Sequence, residues 1–282
     1  MRHPILATLC LSGTALLAAC ESGPDADADR ALQTVNAIDD NNLSHLMLSA
    51  ADPQEAVNYF RRATSEQPDR IDLQRGLAKS LVRAKSNTAA VPAWARVLEM
   101  DGATQDDRVD YADALIRAGK WKEAESALDA IPPTHETFKR YRLEAMIADS
   151  NEEWDRADHF YETAVGLTTT PSGTLNNWGY SKLSRGAFSE AERLFGEALQ
   201  YDPKLFTAKN NLVLARGAQR NYQMPILNVT QTERAQLLHS MALTAVKQGD
   251  VAIGKQLLQD AIDTHPQHFE EAVRSLRALE NA

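Results

Sequence analysis

The sequence predicts an all-α chain, a solenoid of antiparallel helix pairs stacked in file, and three observations predict it. Small residues recur as Ala56, Ala90, Ala124, Ala157 and Ala191 at spacings of 34, 34, 33 and 34, with Gly254 a further 63 residues along. In the clearest period Gly186 offers a turn and Pro203 a stop, as the ends of a helix pair require. Hydrophobic residues make up 43% of the 282 positions, enough to bury a core, so the chain is not of the disordered class.

A period near 34 residues is the signature of the tetratricopeptide repeat, a helix–turn–helix unit that cannot bury its apolar face alone and therefore stacks as a right-handed superhelix. The elements follow in order. Arg2 precedes a mostly apolar run from Ile5 to Ala19, too short to span a bilayer and suited to a signal-peptide core. It ends in Leu17-Ala18-Ala19-Cys20, which resembles the bacterial lipobox, with cleavage before Cys20 and lipid added to it. An ordinary signal peptide with a chance cysteine is the alternative. The lipobox reading removes residues 1–19, Cys10 among them, and leaves a mature chain without a free thiol. One acyl chain holds a protein marginally and several hold it stably. By the lipoprotein sorting pattern Glu21, where an aspartate would retain the protein at the inner membrane, favours the outer membrane.

Residues 20–36 read as a flexible acidic tether, without the apolar spacing that folds a helix. Asp25, Asp27 and Asp29 mimic the start of a calcium loop, but Arg30 stands where glycine is needed and Asn36 where glutamate is needed. Residues 37–204 read as five repeats, with unit starts at Ala37, Ile71, Gln105, Phe138 and Ser172. The first keeps Ala56, Phe60, Ala63 and Pro68, while Trp94, Leu128 and Tyr161 take the large position in the more degenerate units. The clearest unit is SGTLNNWGYSKLSRGAFSEAERLFGEALQYDP, Ser172 to Pro203. There Gly179 and Ala191 permit close approach of two helices, and Trp178, Phe195 and Leu199 fill the space beside them. Lys182 stands where an aromatic is usual. Residues 205–234 read as a lone helix over Leu205 to Ala218 followed by an irregular insertion containing Pro225. Residues 235–282 form a final repeat from Ala235, with Ala242, Gly249, Gly254, Ala261 and Pro266, and a closing helix over His268 to Leu279.

With 39 acidic against 30 basic side chains the net charge is −9, which argues against a nucleic-acid partner because phosphate binding needs a cationic surface. No HExxH, P-loop, nucleophile elbow or paired-cysteine motif is present. The pair His135-Glu136 lacks its second histidine, and His265 and His268 lack a third ligand. Glu152-Glu153 and Glu270-Glu271 read as solvated helix faces. The expectation is a non-enzyme with no cofactor and no metal.

What such a stack offers is a groove formed by the first helix of each unit, suited to an extended peptide or a partner's helix. Asn176 and Asn177 recur 34 residues later as Asn210 and Asn211. An amide carries donors and an acceptor, so a ladder of them can hold a peptide backbone without reading its side chains; solvated or turn-capping asparagines are the alternative. Tyr180 adds an apolar platform, and Lys139 and Arg142 are candidates to pair with a partner carboxylate.

The segments NNWGYSKLSRGAFSEAERLF, YDPKLFTAKNNLVLARGAQRNY and AIDTHPQHFEEAVRSLRALE resemble the tetratricopeptide lipoprotein of tight-adherence (Flp) pilus systems, the TadD family. KNNLVLARGAQRNY and the insertion after it lie outside the repeat consensus, so the likeness is more than shared periodicity. The resemblance implies a non-catalytic part in Flp pilus assembly, as a pilotin that helps the secretin reach or assemble in the outer membrane. A general envelope adaptor for outer-membrane protein assembly or cell-wall maintenance is the second reading, and a periplasmic hydrolase with a repeat extension the third.

Overall fold

The computed structural model describes residues 43–281. The signal run, Cys20, Glu21, the tether and the expected first-unit start at Ala37 lie outside the described residues. Among those described there are fourteen helices and no strand, and the fold is an all-α tetratricopeptide-repeat solenoid. Helix α1 (43–49) precedes α2 (Pro53–Glu66), α3 (Ile71–Arg83), α4 (Asn87–Leu98), α5 (Gln105–Arg117), α6 (Trp121–Asp129) and α7 (Phe138–Ser150). Then come α8 (Trp154–Gly166), α9 (Ser172–Ser184), α10 (Phe188–Tyr201), α11 (Phe206–Ala218), α12 (Gln231–Lys247), α13 (Val251–Thr264) and α14 (Glu270–Glu280). Helices α3, α5, α7 and α9 begin at the residues to which the period points, because each repeat restarts the same local signals. Thr104 caps α5 through a reciprocal box with Asp107, and Thr137 caps α7.

The pairs close through small residues pressed on rings. Gly179 on α9 lies against Phe195 of α10, where an added Cβ would stand 2.7 Å from the ring. Gly76 on α3 lies against Phe60 of α2, where an added Cβ would stand 2.2 Å from the ring, a contact that joins the second repeat to the first. Trp94, Leu128 and Tyr161, at the large position, are fully buried. Ala191 is sealed among Phe195, Leu212, Ala215 and Leu183.

From the second unit on, the chain enters the left-handed region after the first helix of each unit, at Lys85, Gly119, Glu152, Gly186, Arg220 and Gly249. The requirement comes from the turn, since a helix that stops and reverses within three residues needs one positive φ to satisfy its last carbonyls. Glycine meets it without strain at three of these positions; Lys85, Glu152 and Arg220 adopt φ of 56°, 59° and 58° despite a Cβ.

The stretch after Pro203 departs from the expectation. Helix α11 is not alone: it packs on α10 and α12, lies beside α9, and ends in the left-handed turn at Arg220, as the first helix of a repeat does. Its second helix is missing. The segment 219–230 takes that place in extended form, and Met224, Leu227 and Val229 pack into the core of the last repeat. Lys209, with a side chain only 3% exposed, ties it down by donating to the Asn228 carbonyl at 2.8 Å while facing Glu233 at 3.4 Å. Tyr222 adds a hydrogen bond to Asp250. With no helix between them, α12 rests directly on α11, and Gly217 makes room for Thr244. Helix α12 begins at Gln231, four residues before the expected Ala235, because Thr230 and Glu233 form a capping box that starts the helix there.

Ion pairs join one repeat to the next. Arg75 of α3 grips Asp107 of α5 by donating from Nε and Nη2, at 2.7 and 2.6 Å. Burial pushes the Asp107 carboxyl up, but Arg75 and the Thr104 cap together bring it below its usual range. Arg83 donates to the carbonyls of Met47, Leu48 and Ala51, fastening α1 to the stack by its C-terminal end.

Two outcomes are expected. Ala191→Leu overfills the α9–α10 crossing and lowers unfolding free energy by ~1–3 kcal/mol, read by thermal or denaturant unfolding followed by circular dichroism. Glu152→Gly removes a Cβ from a left-handed turn and raises stability by about 0.5–1 kcal/mol, read in the same way.

Candidate peptide-binding groove

Helices α7, α9 and α11 lie in sequence along one side of the stack, and the starts of α6 and α8 close its lower edge. Together they enclose a groove of about 590 Å³. Asn176, Asn177 and Tyr180 reach it from α9, and Asn210 and Asn211 from α11. All five therefore line one surface, as repetition of a helix register demands. The amides are partly engaged with one another: Asn211 Nδ2 donates to Asn176 Oδ1 at 3.1 Å, and Ser240 Oγ donates to Asn210 Oδ1 at 2.7 Å. Among the described residues the Asn177 amide has no hydrogen-bond partner, and Asn176 and Asn210, which also line the groove, accept at Oδ1 with their NH2 groups unpaired. Tyr180 stands 59% exposed at the rim.

Lys139 and Arg142 are not brought to this groove, a correction to the sequence reading. Lys139 Nζ is held by Asp110 and by Asp113, the latter at 3.1 Å, both on the preceding first helix. Carboxylates one repeat away are nearer than any partner, so the charge is neutralised within the stack. Arg142 folds back over the Phe138 ring, 5.8 Å from its centroid, because helical side chains lean toward the N-terminus and meet the residue four before.

The sequence reading missed Trp121, Asp149, Trp154, Ser181 and Phe206, all of which line the groove. A signal for the tryptophans was present: Trp121 and Trp154 are the first residues of α6 and α8, 33 apart, and Phe188 starts α10 another 34 on. Asp149 had none, since only the fold brings it to Ser181 and Tyr161. Its oxygens accept from Ser181 Oγ at 2.6 Å and Tyr161 Oη at 2.8 Å, and burial pushes its carboxyl above the usual 3.8. Burial and the adjacent Asp149 carboxylate in turn push the Tyr161 hydroxyl far up.

Behind the groove a second carboxylate behaves differently. Asp158 accepts from Trp178 Nε1 at 2.6 Å, from Lys182 at 2.9 Å and from Arg185. Burial pushes it up, and Arg185, Lys182 and Trp178 outweigh burial and hold it below its usual range. This gives Lys182 a role where the repeat usually carries an aromatic. At 12% exposure its ammonium bridges Asp158 and Glu190, replacing ring packing by charge pairing at the α8–α9 junction. Of the paired histidines, His265 contacts Gln267 and stacks on Phe269, while His268 pairs with Glu270.

Comparison with known proteins places the fold. Two family models described as tetratricopeptide repeat match residues 42–108 and 81–147. A tetratricopeptide-repeat protein from Parabacteroides merdae is 12% identical with a TM-score of 0.56, over 85% of this chain and 97% of that one. A thermophilic tetratricopeptide-repeat protein of Thermus thermophilus is 17% identical with a TM-score of 0.53, over 62% of this chain and 95% of that one. The Cut9–Hcn1 hetero-tetramer of the APC/C is 14% identical with a TM-score of 0.60 over 83% of this chain, which spans only 47% of that one. Comparison with curated proteins finds no match. The chain thus has the tetratricopeptide-repeat fold, a fold suited to protein–protein interaction and typically non-enzymatic.

The half-buried Asp149 has a pH consequence. Because its folded carboxyl titrates above 3.8, the native state takes up a proton before the unfolded chain does. Its ionisation therefore costs stability at neutral pH, and the cost disappears as pH falls through the folded value toward 3.8. Asp149→Asn is expected to be more stable than the parent at pH 7, with the gap closing toward pH ~4 in urea unfolding.

Proposed function

We propose that this chain is a lipid-anchored periplasmic scaffold of the outer membrane that holds an extended segment of a pilus-assembly partner, the secretin foremost, in the α7–α9–α11 groove. The observation that carries the reading is the row of asparagines on α9 and α11 that line the groove with amide hydrogens left unpaired, beside the exposed Tyr180. Amides at repeat spacing meet the carbonyls and N–H groups of an extended backbone, and rings cover its apolar side chains. The partner assignment draws on the likeness of the segments from Asn176 onward to the TadD family, and the anchor on the Leu17-Ala18-Ala19-Cys20 run. No helix among the described residues is long and apolar enough to cross a membrane, so attachment in this reading falls to Cys20.

The test is crosslinking and affinity purification from the native host, with palmitate labelling of the same cells. The secretin is expected in the eluate of the parent and is expected to be depleted for Asn177→Ala/Asn211→Ala, a double variant with near-parental helicity and melting temperature. Cys20→Ala is expected to lose the label and the outer-membrane fraction. Barrel-assembly proteins in place of the secretin would favour the general envelope adaptor, and equal recovery by the double variant would remove the amide row from the account.

A further inference from the structure

Charge on the groove wall is sparse. Asp149 is the one charged side chain among the described residues that line it. Its hydrogen bonds come from two neutral hydroxyls, Ser181 and Tyr161, one to each oxygen, whereas a carboxylate accepts about four. The neighbouring cations are engaged elsewhere. Arg185 binds Asp158 and lies over Trp154 at 5.5 Å, Lys182 bridges Asp158 and Glu190, and Arg142 lies over Phe138. The carboxylate thus sits half-buried with spare lone pairs and no ion pair in contact, Arg185 acting on it only through its longer-range field, and Trp121 and Tyr180 are exposed by 37% and 59% among the lining residues. An aliphatic stem lying on such rings, with its cationic head at a carboxylate, gains from both.

We infer that the groove selects a segment bearing a lysine or arginine, whose side chain crosses the aromatic rim and ends at Asp149 while its backbone runs along the asparagines of α9 and α11. The polarity is opposite to that expected from Lys139 and Arg142, because Lys139 is paired with acids and Arg142 lies over Phe138, both outside the groove lining, whereas Asp149 lines it without an ion pair. Repeat symmetry sets the register: Asp149 is on α7 and the amides are on α9 and α11, so the basic residue occupies the α7 end of the bound segment. Burial holds the Asp149 carboxyl up in the free protein, and an arriving cation would lower it again.

The inference rests on the groove reading proposed above. The probe is a random dodecapeptide phage library panned on the full chain in detergent, followed by fluorescence anisotropy of the selected peptide and of its copy with norleucine for the basic residue. Selected peptides are expected to share a lysine or arginine at one position. The norleucine swap is expected to weaken binding roughly tenfold on the parent and under about twofold on Asp149→Asn, the mark of a direct contact. Selection of acidic or uncharged peptides, no effect of the swap on the parent, or an equal loss on both proteins overturns the basic subsite while leaving the groove in place. Binding unchanged by Asn177→Ala/Asn211→Ala, or no selected peptide at all, removes the groove reading and this inference with it. The swap on the parent is read without the variant, and circular dichroism of Asp149→Asn checks its fold before the two losses are compared.

Discussion

A pair of antiparallel helices exposes too much apolar surface to stand alone, and every other feature of this molecule answers that constraint. The answer is repeated contact between a small residue and a ring: Gly76 on Phe60, Gly179 on Phe195, Ala191 sealed beneath. Only residues without bulk let two backbones come that close, and only a large flat side chain fills what is left. Because the helix pair recurs every repeat, so does the register of the first helices. A chemical group placed once on such a helix, and again one period later, lands in one row. The asparagines of α9 and α11 are such a row.

Packing sets the distances between repeats, and charge closes the gaps that packing leaves. The Arg75–Asp107 fork satisfies a buried carboxylate and the Asp158 cluster a partly buried one, each with fixed donors, which a single exposed ion pair would not do. Lys182 shows the substitution at work: where the repeat usually packs a ring, an ammonium bridges two acids across the same junction. Lys139 is drawn into a similar pairing by Asp110 and Asp113. The result is a groove lined by no cation among the described residues, whose one charged side chain is the acid Asp149.

The missing second helix after α11 is the other departure with consequences. A repeat that loses a helix must still cover the face that helix would have buried. The extended segment 219–230 does so with Met224, Leu227 and Val229, and Lys209 and Tyr222 anchor it from either side. Gly217 then allows α12 to close on α11, which continues the row of first helices past the gap and carries Ser240 to Asn210.

Much of this was legible in the residues alone. The 34-residue period, Gly186 in its turn, Pro203 after its helix, and the helix starts at Ile71, Gln105, Phe138 and Ser172 are local signals, and local signals survive in a linear text. So was the row of asparagines, since equal spacing on equal helices means a shared face. What the residues alone did not decide were the pairings that depend on which helices become neighbours. Lys139 has acids within reach only once α5 and α7 lie side by side, Asp149 meets Ser181 and Tyr161 only across α7, α8 and α9, and α11 acts as a first helix only because α12 packs against it. Those contacts join residues about 10 to 35 positions apart through space, and no pattern along the chain encodes which candidate donor arrives first.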